Sequence, residues 1–255
     1  MSKILFINPV GHTDFDAPIE RYLNHHKMEK TTVEVKSLSR GPHHLEYHYY
    51  EALIGPEMLQ MIKAYEEKGY DAAVIGCFYD PFLHEAREIV EKMVVTAPAE
   101  AALHIAATLG NKFSIIVGRK KHIPVMEENV IKYGFKDKLA SFKDLEMGVL
   151  DFQQEVKETE KRIMAKARAA LDEDLAEVIL LGCTIQFGFF AELQQKLGVP
   201  VIDAVLAPFK YAEFLVELKN KFNWQHSKIY GYEKPPADEM EKWGLAKGEQ
   251  GLFIR

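Results

Sequence analysis

Cysteine is scarce in this chain: among 255 residues only Cys77 and Cys183 occur. Two cysteines are too few for the disulfide framework that holds small secreted proteins together. They also lie outside any CxxC pair, the spacing that would indicate a zinc site. The sequence therefore argues against a disulfide-rich fold, predicts reduced thiols and gives no reason to expect that the two cysteines bind a metal.

Long apolar runs and clusters of basic residues are also absent. The N-terminal run Ile4-Leu5-Phe6-Ile7 is too short for the core of a signal peptide, and no run approaches the ~20 apolar residues of a membrane span. The net charge is −6, and basic residues do not cluster beyond Arg119-Lys120-Lys121. These features predict a cytoplasmic protein that acts without a membrane or a nucleic acid.

What the chain does contain is a repeated pattern around its two cysteines. Val74-Ile75-Gly76-Cys77 and Leu180-Leu181-Gly182-Cys183 each end a run that is typical of a buried strand. Cys77 lies 74 positions after Lys3, which opens an apolar strand, and Cys183 lies 71 positions after Lys112, which opens another. Similar elements at similar offsets predict two α/β units of one design, related by a pseudo-twofold axis.

Short apolar runs alternate with helical patterns in both units, which is typical of parallel strands covered by helices. We therefore predict an α/β fold with two similar Rossmann-like lobes, each built on a parallel sheet. The predicted lobe 1 comprises 1–97 and 204–255, with a helix over 208–219 that returns to it, and lobe 2 comprises 98–203. The polar tail 220–255 is predicted to hold one short helix, and its sequence indicates no function.

Both cysteines follow the carboxyl end of a predicted strand, where open α/β sheets collect their ligands. The next residues, Phe78-Tyr79 and Thr184-Ile185, offer backbone N–H groups near a helix start, which suit an anionic oxygen. The same local field is expected to lower the thiol pKa toward neutrality. Inversion of a carbon centre requires one acid/base group on each face of a planar intermediate, so the pair predicts stereoinversion by two thiols.

Several strings along the chain match a known family in order and spacing. They are Ile7-Asn8-Pro9; Gly41-Pro42 with Glu46; Ile75-Gly76-Cys77-Phe78 with Asp80-Pro81; Lys112-Phe113-Ser114-Ile115-Ile116-Val117; Tyr133-Gly134; Leu181-Gly182-Cys183-Thr184; and Gly198-Val199-Pro200-Val201-Ile202-Asp203. Through these strings the chain resembles the aspartate/glutamate racemase superfamily and, within it, the hydantoin racemases. The resemblance covers roughly residues 3–215 and leaves only the tail outside.

The resemblance implies a cofactor-independent racemase with its active site in the cleft between two lobes. It places the catalytic cysteines on Cys77 and Cys183, and it implies a homo-oligomer that binds a small-molecule substrate. The candidate substrate contacts are Asn8, Glu46, Phe78, Tyr79, Gly118, Arg119, Thr184 and Ile185.

The substrate is less well defined, because hydantoin racemases often carry threonines where this chain has Gly118-Arg119. We predict a racemase of 5-substituted hydantoins or related ureides. The alternative is a racemase of aspartate, glutamate or a relative, in which Arg119 would face the cleft and bind a carboxylate. Two other classes stay open: a non-catalytic two-lobed binding protein, and a dithiol redox protein whose cysteine Cα atoms would lie within about 7 Å.

Three further features bear on the site. The histidine-rich segment 43–48 is expected to form a loop at the mouth of the cleft, with a metal site as the weaker alternative. Asp80 is predicted to cap a helix that begins at Pro81. Asp203 closes a predicted strand, where it either supports the second cysteine loop or caps the next helix.

Overall fold

The computed structural model describes residues 2–243 and contains two four-stranded parallel sheets. The first sheet consists of β1 (Ser2–Asn8), β2 (Thr31–Ser37), β3 (Ala72–Ile75) and β4 (Val94–Thr96). The second consists of β5 (Phe113–Val117), β6 (Leu139–Asp144), β7 (Val178–Leu181) and β8 (Val201–Ile202). The strand orders are β2-β1-β3-β4 and β6-β5-β7-β8, so the second sheet repeats the order of the first. The predicted α/β fold of two similar lobes is confirmed.

Helices connect the strands and cover the sheets. They are α1 (Asp16–His26), α2 (His48–Glu67), α3 (Leu83–Ile89), α4 (Pro98–Leu109), α5 (Ile123–Lys132), α6 (Val156–Asp174), α7 (Phe190–Leu197), α8 (Leu206–Phe222) and α9 (Ala237–Lys242). Within residues 2–243, no helix is both long enough and apolar enough to cross a bilayer.

Each sheet is buried on both faces, which explains why its central strand reads as a continuous apolar run. Side chains of a strand alternate between faces. In β1, Leu5 and Ile7 belong to a core with residues of α2 and α3, whereas Ile4 and Phe6 belong to one with residues of α1 and α8. In the same way, Ile115 of β5 faces α4 and α5, while Ile116 faces α6 and α7.

Two helices determine how the chain is shared between the sheets. Apolar residues of α4 pack with Phe113 and Ile115 of the second sheet, although α4 directly follows the first sheet in the chain. Phe209 and Val216 of α8 pack back against the first sheet. The division into 1–97 with 204–255 and 98–203 stays a prediction, with which these contacts are consistent.

The segment after α8 runs along the open edge of the first sheet. The exposed backbone groups of an edge strand are a site for unwanted pairing unless they are covered. Here the N–H of Val95 in β4 donates to His226 Nε2 at 3.0 Å, and its carbonyl accepts from the buried Arg87 guanidinium. The predicted short helix of the tail is α9, while residues 244–255 of the tail lie outside the described part of the chain.

Candidate active site

A cavity with an empty volume of about 690 Å³, including the solvent in its mouth, is lined by residues from both halves of the chain. Both cysteines line it, and both are free thiols that are partly exposed. The other lining residues are Asn8, Pro9, Val10, His12, Phe15, His43, His44, Leu45, Glu46, Gly76, Phe78, Tyr79, His122, Met126, Val149, Leu150, Gly182, Thr184 and Ile185. Every candidate site residue from the sequence except Gly118 and Arg119 therefore meets at one cavity.

The two cysteine loops have the same local construction. The N–H of Gly76 donates to the carbonyl of Ile7 at 2.8 Å, and the N–H of Gly182 donates to the carbonyl of Ile116 at 2.8 Å. A Cβ atom added at Gly76 would lie 2.6 Å from the Ile7 oxygen, and one at Gly182 would lie 2.8 Å from the Ile116 oxygen. Each cysteine is therefore preceded by a glycine because the backbone of the neighbouring central strand leaves no space for a side chain.

A hydrogen bond joins the two cysteine loops directly. Thr184 Oγ1 donates to the carbonyl oxygen of Gly76 at 3.0 Å, across 108 positions of sequence. Thr184 is 5% exposed, so this bond is shielded from water. The residue that follows Cys183 thus holds the peptide group that precedes Cys77, and this contact helps to position the two thiols relative to each other.

The structure corrects the expected thiol pKa. Burial raises the pKa of Cys183 to about 12, although the N–H groups of Ile185 and Gln186 favour the thiolate. Burial also raises the pKa of Cys77 well above its usual range, and a charge on Cys183 raises it further, while the N–H of Tyr79 lowers it. The predicted N–H groups oppose the shift, but the loss of solvation outweighs them.

Glu46 belongs to the 43–48 segment of the first half of the chain, yet its contacts are with the second half. Its Oε1 accepts from the N–H of Val149 at 2.8 Å and its Oε2 accepts from Arg119 Nη1 at 2.6 Å. Glu46 is 7% exposed and lines the cavity. These donors hold the pKa of the Glu46 carboxyl below its usual value against the opposing effect of burial.

The sequence prediction for Gly118 and Arg119 differs from what is observed. Arg119 lines a second cavity at the surface, and its half-exposed guanidinium reaches the thiol cavity only through its ion pair with Glu46. Gly118 does not line the thiol cavity, and a Cβ atom there would lie 2.8 Å from the carbonyl oxygen of Met147. A threonine at this position would not fit the present backbone, which explains why the glycine is required here.

His122 is a wall residue that the sequence prediction missed. It is 3% exposed, and its Nδ1 accepts from the N–H of Arg119 at 3.3 Å, so Nε2 carries the proton in the neutral ring. That Nε2 lies 3.7 Å from Glu46 Oε2. Burial lowers the pKa of His122, which keeps the imidazole neutral at neutral pH. A lone histidine after a strand carries no local signal of this role.

His12, Phe15, Met126 and Leu150 are other wall residues outside the prediction. Asn8, which was predicted, is 5% exposed and its side-chain amide donates to Asp16 Oδ1 at 2.6 Å. The histidine-rich segment does contribute to the wall, as expected.

Among the described residues, no group of three or more histidine, cysteine or acidic side chains is arranged to hold a metal ion.

Asp80 and Asp203 are buried carboxylates whose hydrogen bonds hold the loops that follow the two cysteines. Asp80 caps α4, not a helix at Pro81, because its carboxylate accepts from the N–H groups of Ala99 and Glu100 at 2.8 Å. The prediction for Asp80 named the wrong helix; α3 begins at Leu83 instead. Burial raises the pKa of Asp80 to about 7.

Asp203 both caps the helix that follows it and supports the second cysteine loop, the two alternatives that the sequence left open. Its Oδ1 accepts from the N–H groups of Val205 and Leu206 at the start of α8. Its Oδ2 accepts from Gly188 N–H at 3.0 Å, in the loop that follows Cys183, and from Tyr22 Oη at 2.9 Å.

Comparison with known proteins agrees with this architecture. The hydantoin racemase of Pseudomonas sp. (strain NS671) is 34% identical over 242 residues, which cover 95% of this chain and 97% of that protein. The hydantoin racemase of Paenarthrobacter aurescens is 34% identical over 234 residues, covering 91% and 97%. Among solved structures, the allantoin racemase from Klebsiella pneumoniae superimposes with a TM-score of 0.85 at 28% identity, covering 92% of this chain and 94% of that one.

The sequence match extends through both lobes and both cysteine loops. A family model described as Asp/Glu/Hydantoin racemase matches residues 4–212. This range contains all eight strands of the two sheets described above, apart from the first two residues of β1. The resemblance drawn from the sequence strings is confirmed, and the chain belongs to the Asp/Glu/hydantoin racemase family.

Proposed function

We propose that the protein is a cofactor-independent racemase of 5-substituted hydantoins or related cyclic ureides, with Cys77 and Cys183 as its acid/base pair. The observation that carries the proposal is that two free thiols, from structurally equivalent loops, line one cavity. Relatives named hydantoin racemase and a structural neighbour named allantoin racemase support the substrate class. The stereocentre of such a ring is a carbon acid, because the adjacent carbonyl takes up the charge when the proton leaves.

The proposed reaction moves one proton off one face of the ring and one proton onto the other. A thiolate at Cys77 takes the C5 proton, and the electron pair moves onto the neighbouring carbonyl oxygen to form an enolate. Cys183, as a thiol, then donates its proton to the opposite face of C5. The product leaves a thiol at Cys77 and a thiolate at Cys183, which is the state required for the opposite enantiomer. Backbone N–H groups at Phe78 and Thr184 are proposed to stabilise the enolate oxygen.

The electrostatics of the pair suit this division of roles. A charge on Cys183 raises the pKa of Cys77, so a second thiolate is disfavoured once the first has formed. The pair therefore favours one base and one acid. Because burial raises the pKa of both thiols, the fraction of active enzyme should increase with pH above neutrality.

The alternative of an aspartate or glutamate racemase is less well supported by the cavity. A substrate carboxylate usually pairs with a cationic side chain. Among the described residues that line the cavity there is no lysine or arginine, and Arg119 is paired with Glu46 instead. The negative charge of Glu46 on the wall disfavours a second carboxylate.

The deciding experiment is proton exchange at the stereocentre. Each enantiomer of 5-benzylhydantoin, aspartate and glutamate is incubated with the protein in deuterated water, and deuterium incorporation and optical rotation are followed between pH 6 and 10. We expect exchange and racemisation of the hydantoin alone, increasing with pH, and loss of racemisation in both Cys77→Ser and Cys183→Ser. Thr159→Ser, a buried change away from the cavity, should behave like the wild type.

Two other outcomes would replace the proposal. Ligand binding without proton exchange in the wild type would indicate a non-catalytic binding protein. A disulfide between Cys77 and Cys183 that forms reversibly and changes activity would indicate a dithiol redox protein.

The oligomeric state and the cellular location of the protein are the last parts of the proposal. From the family we propose a homo-oligomer, and from the two free thiols a reducing cytoplasmic environment. Light scattering of the purified protein measures the first, since a mass of 29.2 kDa would indicate a monomer.

A further inference from the structure

Arg119 is a charged side chain beside the cavity wall whose role the proposed chemistry does not explain. Its guanidinium is 41% exposed and lies on the surface side of Glu46, at 2.6 Å from Oε2. It belongs to the loop after β5, whereas Glu46 belongs to the loop before α2. The ion pair therefore joins the two halves of the chain across the cavity wall.

Glu46 is held by more than this pair. Its second oxygen accepts from Val149 N–H at 2.8 Å, and the Nε2–H of the neutral His122 lies 3.7 Å from Oε2. An ionised carboxylate has about four lone-pair positions, and two of them are taken by Arg119 and Val149. Because Glu46 also lines the cavity, it can accept a further hydrogen bond from a bound molecule.

We infer that Arg119 is a positioning residue, which with the Val149 N–H holds the Glu46 carboxylate on the cavity wall as the acceptor for a ring N–H of the substrate. The inference rests on the proposed function and adds the basis of its selectivity. A cyclic ureide presents N–H donors beside the reacting carbon, and a charged acceptor binds such a donor more strongly than a neutral one does. The same carboxylate repels anionic amino acids.

The test compares Arg119→Met, Arg119→Lys and Glu46→Gln with the wild type, using 5-benzylhydantoin and its N1-methyl and N3-methyl analogues. Arg162→Met is the matched control, because Arg162 is also half exposed and also pairs with a carboxylate, at 2.8 Å from Glu158, but lines no part of the cavity. Steady-state KM and kcat are measured from pH 5 to 9, together with the melting temperature of each variant.

We expect Arg119→Met to raise KM for 5-benzylhydantoin roughly tenfold while kcat stays within about twofold, since a bond to a charged group is lost from substrate binding. Without Arg119 the pKa of Glu46 rises, so the further fall in kcat/KM that protonation of Glu46 adds to the pH dependence of the thiols should begin at a higher pH. Arg119→Lys should return both the KM and the pH at which protonation of Glu46 lowers kcat/KM most of the way to their wild-type values. Glu46→Gln should remove the preference for the unmethylated ring over one of its methyl analogues.

Several results would overturn the inference. One is an Arg119→Met variant whose KM and pH profile match those of Arg162→Met. Another is a wild type that accepts both N-methyl analogues as well as the parent hydantoin, a comparison that needs no variant to fold. Absence of deuterium exchange by the wild type with any hydantoin would instead refute the proposed function itself.

Discussion

The hydrogen bond from Thr184 to Gly76 is the contact whose removal tests the site most directly. Thr184→Val keeps the shape of the side chain and the backbone N–H, and deletes only the hydroxyl that donates at 3.0 Å. The Gly76 carbonyl then loses a buried donor, which costs about 1–3 kcal/mol of the free energy of unfolding. For a chain of this size, about 2 °C in Tm corresponds to each kcal/mol. We expect a fall in Tm of roughly 2–6 °C.

The effect on activity should exceed the effect on stability. The Gly76 carbonyl belongs to the peptide group before Cys77, so its displacement moves one thiol relative to the other. Small misplacements of reacting groups reduce rates by roughly 10- to 100-fold, and we expect a loss of kcat in that range. Thr184→Ser, which retains the hydroxyl, should recover most of the rate.

Thr159→Val is the matched control for this substitution. Thr159 is fully buried in α6, and its hydroxyl has only a weak contact, 3.9 Å from the sulfur of Met147. Its replacement should change Tm by less than about 2 °C, because a sulfur acceptor contributes little. The assays are thermal unfolding by circular dichroism and deuterium exchange of 5-benzylhydantoin. The reasoning fails if Thr184→Val melts and turns over like Thr159→Val, or if it loses stability with no change in kcat.

The remaining predictions concern the glycine before Cys77 and the edge of the first sheet. Gly76→Ala should lower the free energy of unfolding by about 1–3 kcal/mol or more in urea titrations, because its Cβ would lie 2.6 Å from the Ile7 oxygen, whereas Gly231→Ala, with nothing within 4 Å, should be nearly neutral. Burial lowers the pKa of His226 to about 4, so the folded protein favours the neutral ring and should lose stability as the pH falls from about 6.5 toward 4. His226→Gln, which can still accept from the Val95 N–H, should flatten this loss; an equally steep loss in the variant would contradict the assignment.

Much of the fold was predictable because its signals are local. Apolar residues at helical spacing over 51–68 predict a helix, which is observed as α2, and the pattern of 189–197, closed by Gly198, predicts the helix observed as α7. A larger difference concerns the preceding helix: the pattern of 152–171 predicts a helix from Phe152, whereas α6 starts at Val156, after a short helical turn at 149–151. That turn places the Val149 N–H on Glu46, a partner 103 positions away.

Eight of the ten candidate site residues line the cavity, whereas Gly118 and Arg119 do not, and the sequence prediction missed His122 and the electrostatics of the site. The positions of Cys77 and Cys183 after equivalent strands were sufficient to expect that they meet, since the carboxyl ends of parallel strands collect ligands. The direction of the thiol pKa was predicted wrongly, because burial depends on atoms that come from many parts of the chain. Asp80 was assigned to the wrong helix for a related reason: its two N–H donors lie 19 and 20 positions away.

The sequence by itself therefore determined the duplicated lobes, the two glycine-cysteine turns and the family. The lobes and the turns depend on periodicity and on spacing within one element or between equivalent elements, and the family was identified through the resemblance of the matching strings. Only the tertiary structure decided that desolvation outweighs the N–H groups at both thiols, that Arg119 pairs with Glu46, and that Thr184 ties the two loops together. Solvation and pairing depend on groups that are distant in the sequence, 73 positions apart for Glu46 and Arg119 and 108 for Gly76 and Thr184, whose proximity exists only after the chain has folded.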